Sequence, residues 1–205
     1  MIDNIDIIKT LLNFSEEGDF YQLYVFTRKK DFPEAQKSEH QSVRTIKTYC
    51  ISSIDYLEKR YDEIKALCEF FKARAYIHVQ KQNHRDVGLN MISEIVTRIQ
   101  SGNMNQKAVF DSTVGKLKTT EKRWIVDLDT KDLAVIDRIV KLINAVKPTE
   151  KSDKIIATVP TKSGVHLITE RFDVQEFTKY MSLQGDVPDI QKKNPTVLYV
   201  PNSIM

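Results

Sequence analysis

The sequence predicts an α+β fold, a mixed sheet with helices packed on it, and three observations carry that prediction. Segments of strand and helix character alternate along the chain, and none is repeated or low in complexity. The strongest stripe, Ile54, Leu57, Tyr61, Ile64, Cys68 and Phe71, recurs at spacings of three and four, as one buried helix face requires. Hydrophobic residues at 41% and charged residues at 29% match a globular domain and exclude the disordered class. A chain of 205 residues is long enough for one sizeable core or two small lobes sharing a cleft, and one compact unit is expected. No apolar run approaches the ~18–20 residues that span a bilayer. The acidic, mixed start Met1-Ile2-Asp3-Asn4-Ile5-Asp6 lacks the pattern of a signal peptide, so a cytoplasmic location is expected.

The elements follow in order. Ile5, Ile8, Leu11 and Leu12 mark a short helix, and the aromatic and β-branched run from Phe20 to Phe26 marks a strand. A second strand is expected over Arg44 to Ile51. Ser52 or Ser53 then caps the helix of the Ile54 stripe. A strand from Ala73 to Val79 leads through a turn at Gln82-Asn83-His84 into a helix from about Asp86 to Gln100, stopped by Ser101-Gly102. The next strand is Arg123 to Asp129, and the helix from Leu133 to Val146 ends near Pro148. Strands Lys154 to Val159 and Val165 to Thr169 flank a hairpin loop, Pro160 to Gly164. A helix from Asp173 to about Leu183 and a strand at Thr196 to Val200 complete the series.

Asp127 and Asp129 are the most informative residues. Side chains alternate along a strand, so both carboxylates point one way while Trp124, Val126 and Leu128 face a core. Two like charges that close repel unless a cation neutralises them. Oxygen donors of this kind suit Mg²⁺ or Mn²⁺, which keep their other positions for water and substrate phosphates. A structural role competes: Asp129-Thr130 could cap the helix that starts near Asp132. The apolar Trp124-Ile125-Val126 run favours metal binding, because a buried strand end with two acids needs compensating charge. Thr161-Lys162-Ser163-Gly164-Val165-His166 offers complementary chemistry, although Lys162-Ser163-Gly164 taken alone reads better as a plain β-turn ahead of a core histidine. Gly164 permits close backbone approach, Lys162 and Ser163 can meet phosphate oxygens, and His166 can donate to a phosphate or shuttle a proton.

Val126-Asp127-Leu128-Asp129 at a strand end, followed by Gly164-Val165-His166, resembles the first two motifs of the archaeo-eukaryotic primase-polymerase superfamily, in that order. The resemblance covers roughly Arg74 to Val200. It implies a single primase-like domain over 1–205, with an N-terminal αβ lobe at 1–72 and an RRM-like catalytic lobe at 73–205. It implies that Asp127 and Asp129 hold Mg²⁺ or Mn²⁺ and that His166 contacts the incoming nucleotide's phosphates, with Lys162 and Ser163 beside it. The family's third motif, a hydrophobic residue then Asp supplying another metal ligand, has no clean counterpart. Asp189, in Val187-Pro188-Asp189-Ile190, matches best by position, ahead of Asp186 and Asp173. The implied activity is a metal-dependent nucleotidyltransferase that joins nucleotides on a single-stranded DNA template during replication. Nucleoside triphosphates, the template, and a helicase or other replication proteins are the implied partners. Two alternatives remain: a metal-dependent nuclease or replication initiator, and a non-catalytic RRM-like nucleic-acid-binding module.

Other residues are read as structural. Cys50 and Cys68 are expected as buried thiols in a reducing compartment. His78 and His84 have no cysteines nearby that would make a zinc site. Arg74, Tyr76, His78 and Gln80 share one strand face, which is expected to be half solvated. Tyr21, Tyr24 and Phe26 are expected in the core rather than on a base. The basic clusters Arg28-Lys29-Lys30, Lys116 to Arg123 and Gln191-Lys192-Lys193 are read as solvated loops.

Overall fold

The computed structural model describes residues 1–31, 43–103, 109–116, 121–183 and 185–204. The elements are β1 (Ile2–Asp3), α1 (Ile5–Leu11), β2 (Asp19–Arg28), β3 (Val43–Ile51), α2 (Ile54–Phe71), β4 (Arg74–His78), β5 (Gln82–Asn83) and α3 (His84–Gln100). They continue with α4 (Val109–Lys116), β6 (Trp124–Leu128), α5 (Leu133–Ala145), β7 (Ile155–Pro160), β8 (Val165–Thr169), α6 (Val174–Ser182), β9 (Asp189–Gln191) and β10 (Pro195–Val200). The α+β class therefore holds. The mixed sheet does not: the strands form two sheets, and every pairing among the described residues is antiparallel.

The first sheet runs β1-β10-β4-β2-β3, with β5 against β2, and the second runs β7-β8-β6-β9. Strands β4 and β10 both pair into the first sheet, between β1 and β2. Helix α2 forms where the Ile54 stripe predicts it. The Ser53 side chain accepts from the Tyr56 N–H at 3.0 Å, and Leu57, Tyr61, Ile64 and Cys68 bury against Tyr21, Leu23, Val25, Ala75 and Ile77. On the other face of this sheet, Val87 of α3 and Val114 of α4 pack on Phe20, and the Gln22 amide donates to Asp111 of α4 at 3.1 Å. These two helices cover the Phe20–Gln22 end of β2 and leave its far end open.

The central strands of the second sheet, β6 and β8, bury apolar side chains on both faces. Trp124, Val126, Leu128 and Leu167 pack on Ile139 and Ile143 of α5 and on Phe177 and Met181 of α6. Ile125, Val159 and Ile168 join the first sheet's core instead. That two-sided burial explains the unbroken Trp124-Ile125-Val126 run. Lys154 closes the end of α5: its buried ammonium donates to the carbonyls of Ile143, Asn144 and Val146 at 3.2, 2.7 and 2.8 Å. The sequence reading missed α4 and the short β9, placed a turn where β5 pairs, and started α3 two residues late.

Candidate active site

Strand β6 lies between β8 and β9, and the register sets Asp127 opposite His166 on one side and opposite Asp189 on the other. Directly opposed residues share a sheet face, with Cβ atoms ~4.5–5.5 Å apart. His166, Asp127 and Asp189 therefore form a row. The His166 Nε2 lies 3.4 Å from Asp127 Oδ1, and its Nδ1 lies 2.9 Å from the Thr196 hydroxyl on β10. A carboxylate only accepts, so an attractive contact at Nε2 needs the proton there, and Nδ1 then accepts from Thr196. The Gln191 amide donates to Asp189 Oδ2 at 2.8 Å and reaches Asp127 Oδ2 at 3.5 Å, which offsets the repulsion between the two acids.

Asp129 lies just past the end of β6. Its carboxylate accepts from the Ser163 hydroxyl at 2.6 Å. It does not cap α5. Asp132 does that, accepting from the Ala134 N–H at 2.9 Å, while Thr130 Oγ1 accepts from the Asp132 N–H at 3.1 Å. Gly164 makes the Ser163 contact possible: a Cβ there would overlap the Leu128 carbonyl and lie 2.5 and 2.7 Å from the Thr130 backbone. Lys162 is engaged elsewhere, donating to the Ile204 carbonyl at 2.8 Å. Of the other acids named from sequence, Asp173 caps α6 through the N–H groups of Gln175 and Glu176. Asp186 joins Asp127, Asp129 and Asp189 in lining a cavity of about 500 Å³.

The donor chemistry of that cavity fits Mg²⁺ or Mn²⁺. The three-acid cluster expected from sequence is not assembled, however: among the described residues no group of three or more His, Cys, Asp or Glu is arranged to hold a metal. Ser163 holds Asp129 and Gln191 holds Asp189. Mg²⁺ is commonly bound by one or two carboxylates plus substrate phosphates, and Asp127 and Asp129 are the carboxylates here that could supply such a share.

A second opening, a cleft of about 360 Å³, meets the row from the other side. Asp127, His166 and Gln191 line it together with Tyr24, Phe26 and Arg28 of β2 and Tyr76 of β4. Tyr24, Phe26 and Tyr76 are thus half-buried cleft residues, whereas Tyr21 is fully buried. On the β4 face expected to be half solvated, Tyr76, His78 and Gln80 are half-buried and Arg74 alone departs: its guanidinium is buried in a two-pronged ion pair with Asp31, while His78 packs edge-on to Tyr24. Burial lowers the His78 pKa to about 4. His84 stacks on Phe20 at 4.2 Å. Cys68 is buried, its thiol pushed up to about 12 by burial, while Cys50 is only half buried.

Of the basic clusters, Arg28 faces the cleft. Lys193 donates to the Gly115 carbonyl, and Lys116 pairs with Glu94. Residues 117–120 of the central cluster lie outside the described residues, and so does the Lys30 side chain. Sequence reasoning missed Arg28, Tyr76, Gln191 and Thr196 as site residues. Only Arg28 carried a local signal, the Tyr24-Phe26-Arg28 alternation along β2; Tyr76 is brought opposite Tyr24 by register.

No protein-family model, curated protein or solved structure matches this chain. The chemistry assigned to the site therefore stands on its own geometry. No helix among the described residues is long and apolar enough to cross a membrane.

Proposed function

We propose that this protein is a metal-dependent nucleotidyltransferase of the primase-polymerase type, joining nucleotides on a single-stranded DNA template. One observation carries the reading: the register sets His166, Asp127 and Asp189 in one row, on the sheet face opposite the apolar side chains that pack on α5 and α6. The segment β6-α5-β7-β8-α6-β9 and its strand order β7-β8-β6-β9 have the split β-α-β-β-α-β arrangement, which supports an RRM-like catalytic lobe. In this reading Asp127 and Asp129 hold Mg²⁺ or Mn²⁺ against the triphosphate, and Asp189 joins them when the Gln191 amide lets go. The metal would offset charge developing on the phosphates. His166 donates to a phosphate oxygen, Ser163 positions Asp129, and Arg28 supplies the cationic contact that Lys162 was expected to make. A cytoplasmic location and a helicase or other replication proteins as partners belong to the same proposal.

The test is incorporation of labelled nucleotides on single-stranded DNA with Mn²⁺. Asp127→Asn combined with Asp129→Asn is expected to lower the rate ~100-fold or more, in line with the loss of a principal electrostatic element. Unchanged incorporation sinks the proposal. Cleavage of a labelled strand without nucleotide addition assigns the site to a nuclease instead.

A further inference from the structure

Resting on the reading of the acid row as a nucleotide site, we infer that Tyr24, Phe26 and Tyr76 form a stacking platform for a nucleobase on the cleft wall contributed by the first sheet. Their placement follows from register. Alternation along β2 puts Tyr24, Phe26 and Arg28 on one face, and β4 sets Tyr76 directly opposite Tyr24. The Phe26 and Tyr76 rings lie 5.2 Å apart and tilted, so they present one broad apolar wall.

Among the described residues, the core makes little use of this wall. Tyr24 and Phe26 belong to none of the hydrophobic clusters among the described residues, and Tyr76 touches only the margin of one. Helices α3 and α4 cover the Phe20–Gln22 end of the same face, and its Phe26–Arg28 end opens into the cleft with Tyr24 at the boundary. Half-buried aromatics beside a polar row leave apolar area in water unless a ligand covers it.

The cleft has the polarity of a nucleotide. Aromatic rings line one wall, and Arg28, Asp127, His166, Gln191 and Asn194 supply donors, acceptors and charge elsewhere. Its volume of about 360 Å³ lies in the ~300–1,000 Å³ range of small-ligand sites. A base resting on the rings can send its phosphates toward Arg28 and His166. Stacking accepts any base, because each has a π face, so the platform discriminates weakly among the four.

The nucleobase can come from a nucleoside triphosphate or from a DNA strand, and calorimetric titrations with Mn²⁺ separate the sources. The unchanged protein, Phe26→Ala, Tyr76→Ala and Phe26→Trp are each titrated with ATP, tripolyphosphate and a short oligo-dT strand. The expected result is ~10-fold weaker ATP binding in both alanine variants, tripolyphosphate changed by less than about 2-fold, and ATP binding retained in Phe26→Trp. If ATP is unaffected but oligo-dT weakens ~10-fold, the platform holds a strand base. If the unchanged protein binds neither ATP nor tripolyphosphate, the metal–nucleotide reading has failed, while loss of oligo-dT binding still upholds the platform. Equal weakening of ATP and tripolyphosphate overturns the inference, as does the absence of any loss for ATP and oligo-dT.

Discussion

Thr196 sets the orientation of His166, although it stands on a different sheet and makes no contact that local sequence could reveal. Its hydroxyl is fully buried 2.9 Å from Nδ1, and the imidazole is itself 6% exposed, so water cannot replace the partner. Thr196→Val keeps the shape and removes the hydroxyl. It is expected to cost about 1–2 kcal/mol in chemical denaturation, the penalty for a buried ring nitrogen left unpaired, while Thr196→Ser retains most of the stability. Equal stability of the valine variant and the unchanged protein would show that the contact is not formed. Asp129 makes a related point. From sequence it could cap a helix or bind a metal, and the carboxylate of Asp132, three residues on, takes the cap and leaves Asp129 to Ser163.

Among the elements, the hairpin of β7 and β8 crosses the exit of β6 at Gly164. The atoms a Cβ would strike belong to the backbone of Leu128 and Thr130, and backbone cannot swing aside as a flexible side chain does. Gly164→Ala is therefore expected to lose roughly 2 kcal/mol or more and to lower Tm by about 4–8 °C, since the hairpin must lift off β6. Calorimetry decides the matter, and an unaltered Tm would rule out so close a crossing. Helices and strands with strong periodicity were legible because periodicity is a local property. Helix α3 is expected too, yet Leu89, Ile92, Val96 and Ile99 along it are exposed, because a helical segment does not by itself say which face is covered. Strand β9 spans only Asp189–Gln191, too short for alternation to be seen. It is nonetheless the strand that brings Asp189 to Asp127.

At the scale of the whole molecule, acid sensitivity arises at His78 and Asp19, both on the first sheet. Burial lowers the His78 pKa to about 4, so the unfolded chain binds that proton first and stability falls as pH drops from about 6.5 toward 4. Asp19 is buried, and burial alone would raise its pKa. Its bonds from Lys81, the Glu16 N–H and Asn83 prevail and hold it at about 2, so its contribution is lost between about pH 4 and 2. Acid unfolding is expected in two windows, an upper of about 3 kcal/mol and a lower of about 2 kcal/mol, with His78→Gln flattening the upper and Asp19→Asn the lower. A denaturation series that falls only below pH 4 would remove His78 from the account. The sequence by itself determined the α+β class, most of the elements, the alternation that separates Asp127 from Trp124, Val126 and Leu128, and the acids and histidine worth placing together. Tertiary structure alone decided that the strands form two antiparallel sheets, that β10 returns to the first of them, and that Asp189, Gln191, Thr196 and the Tyr24–Phe26–Tyr76 wall gather around Asp127. The reason is physical: a side chain's face is fixed by its own strand's pleat, whereas its neighbours across a sheet or a cleft are fixed by register and packing among segments far apart in the chain.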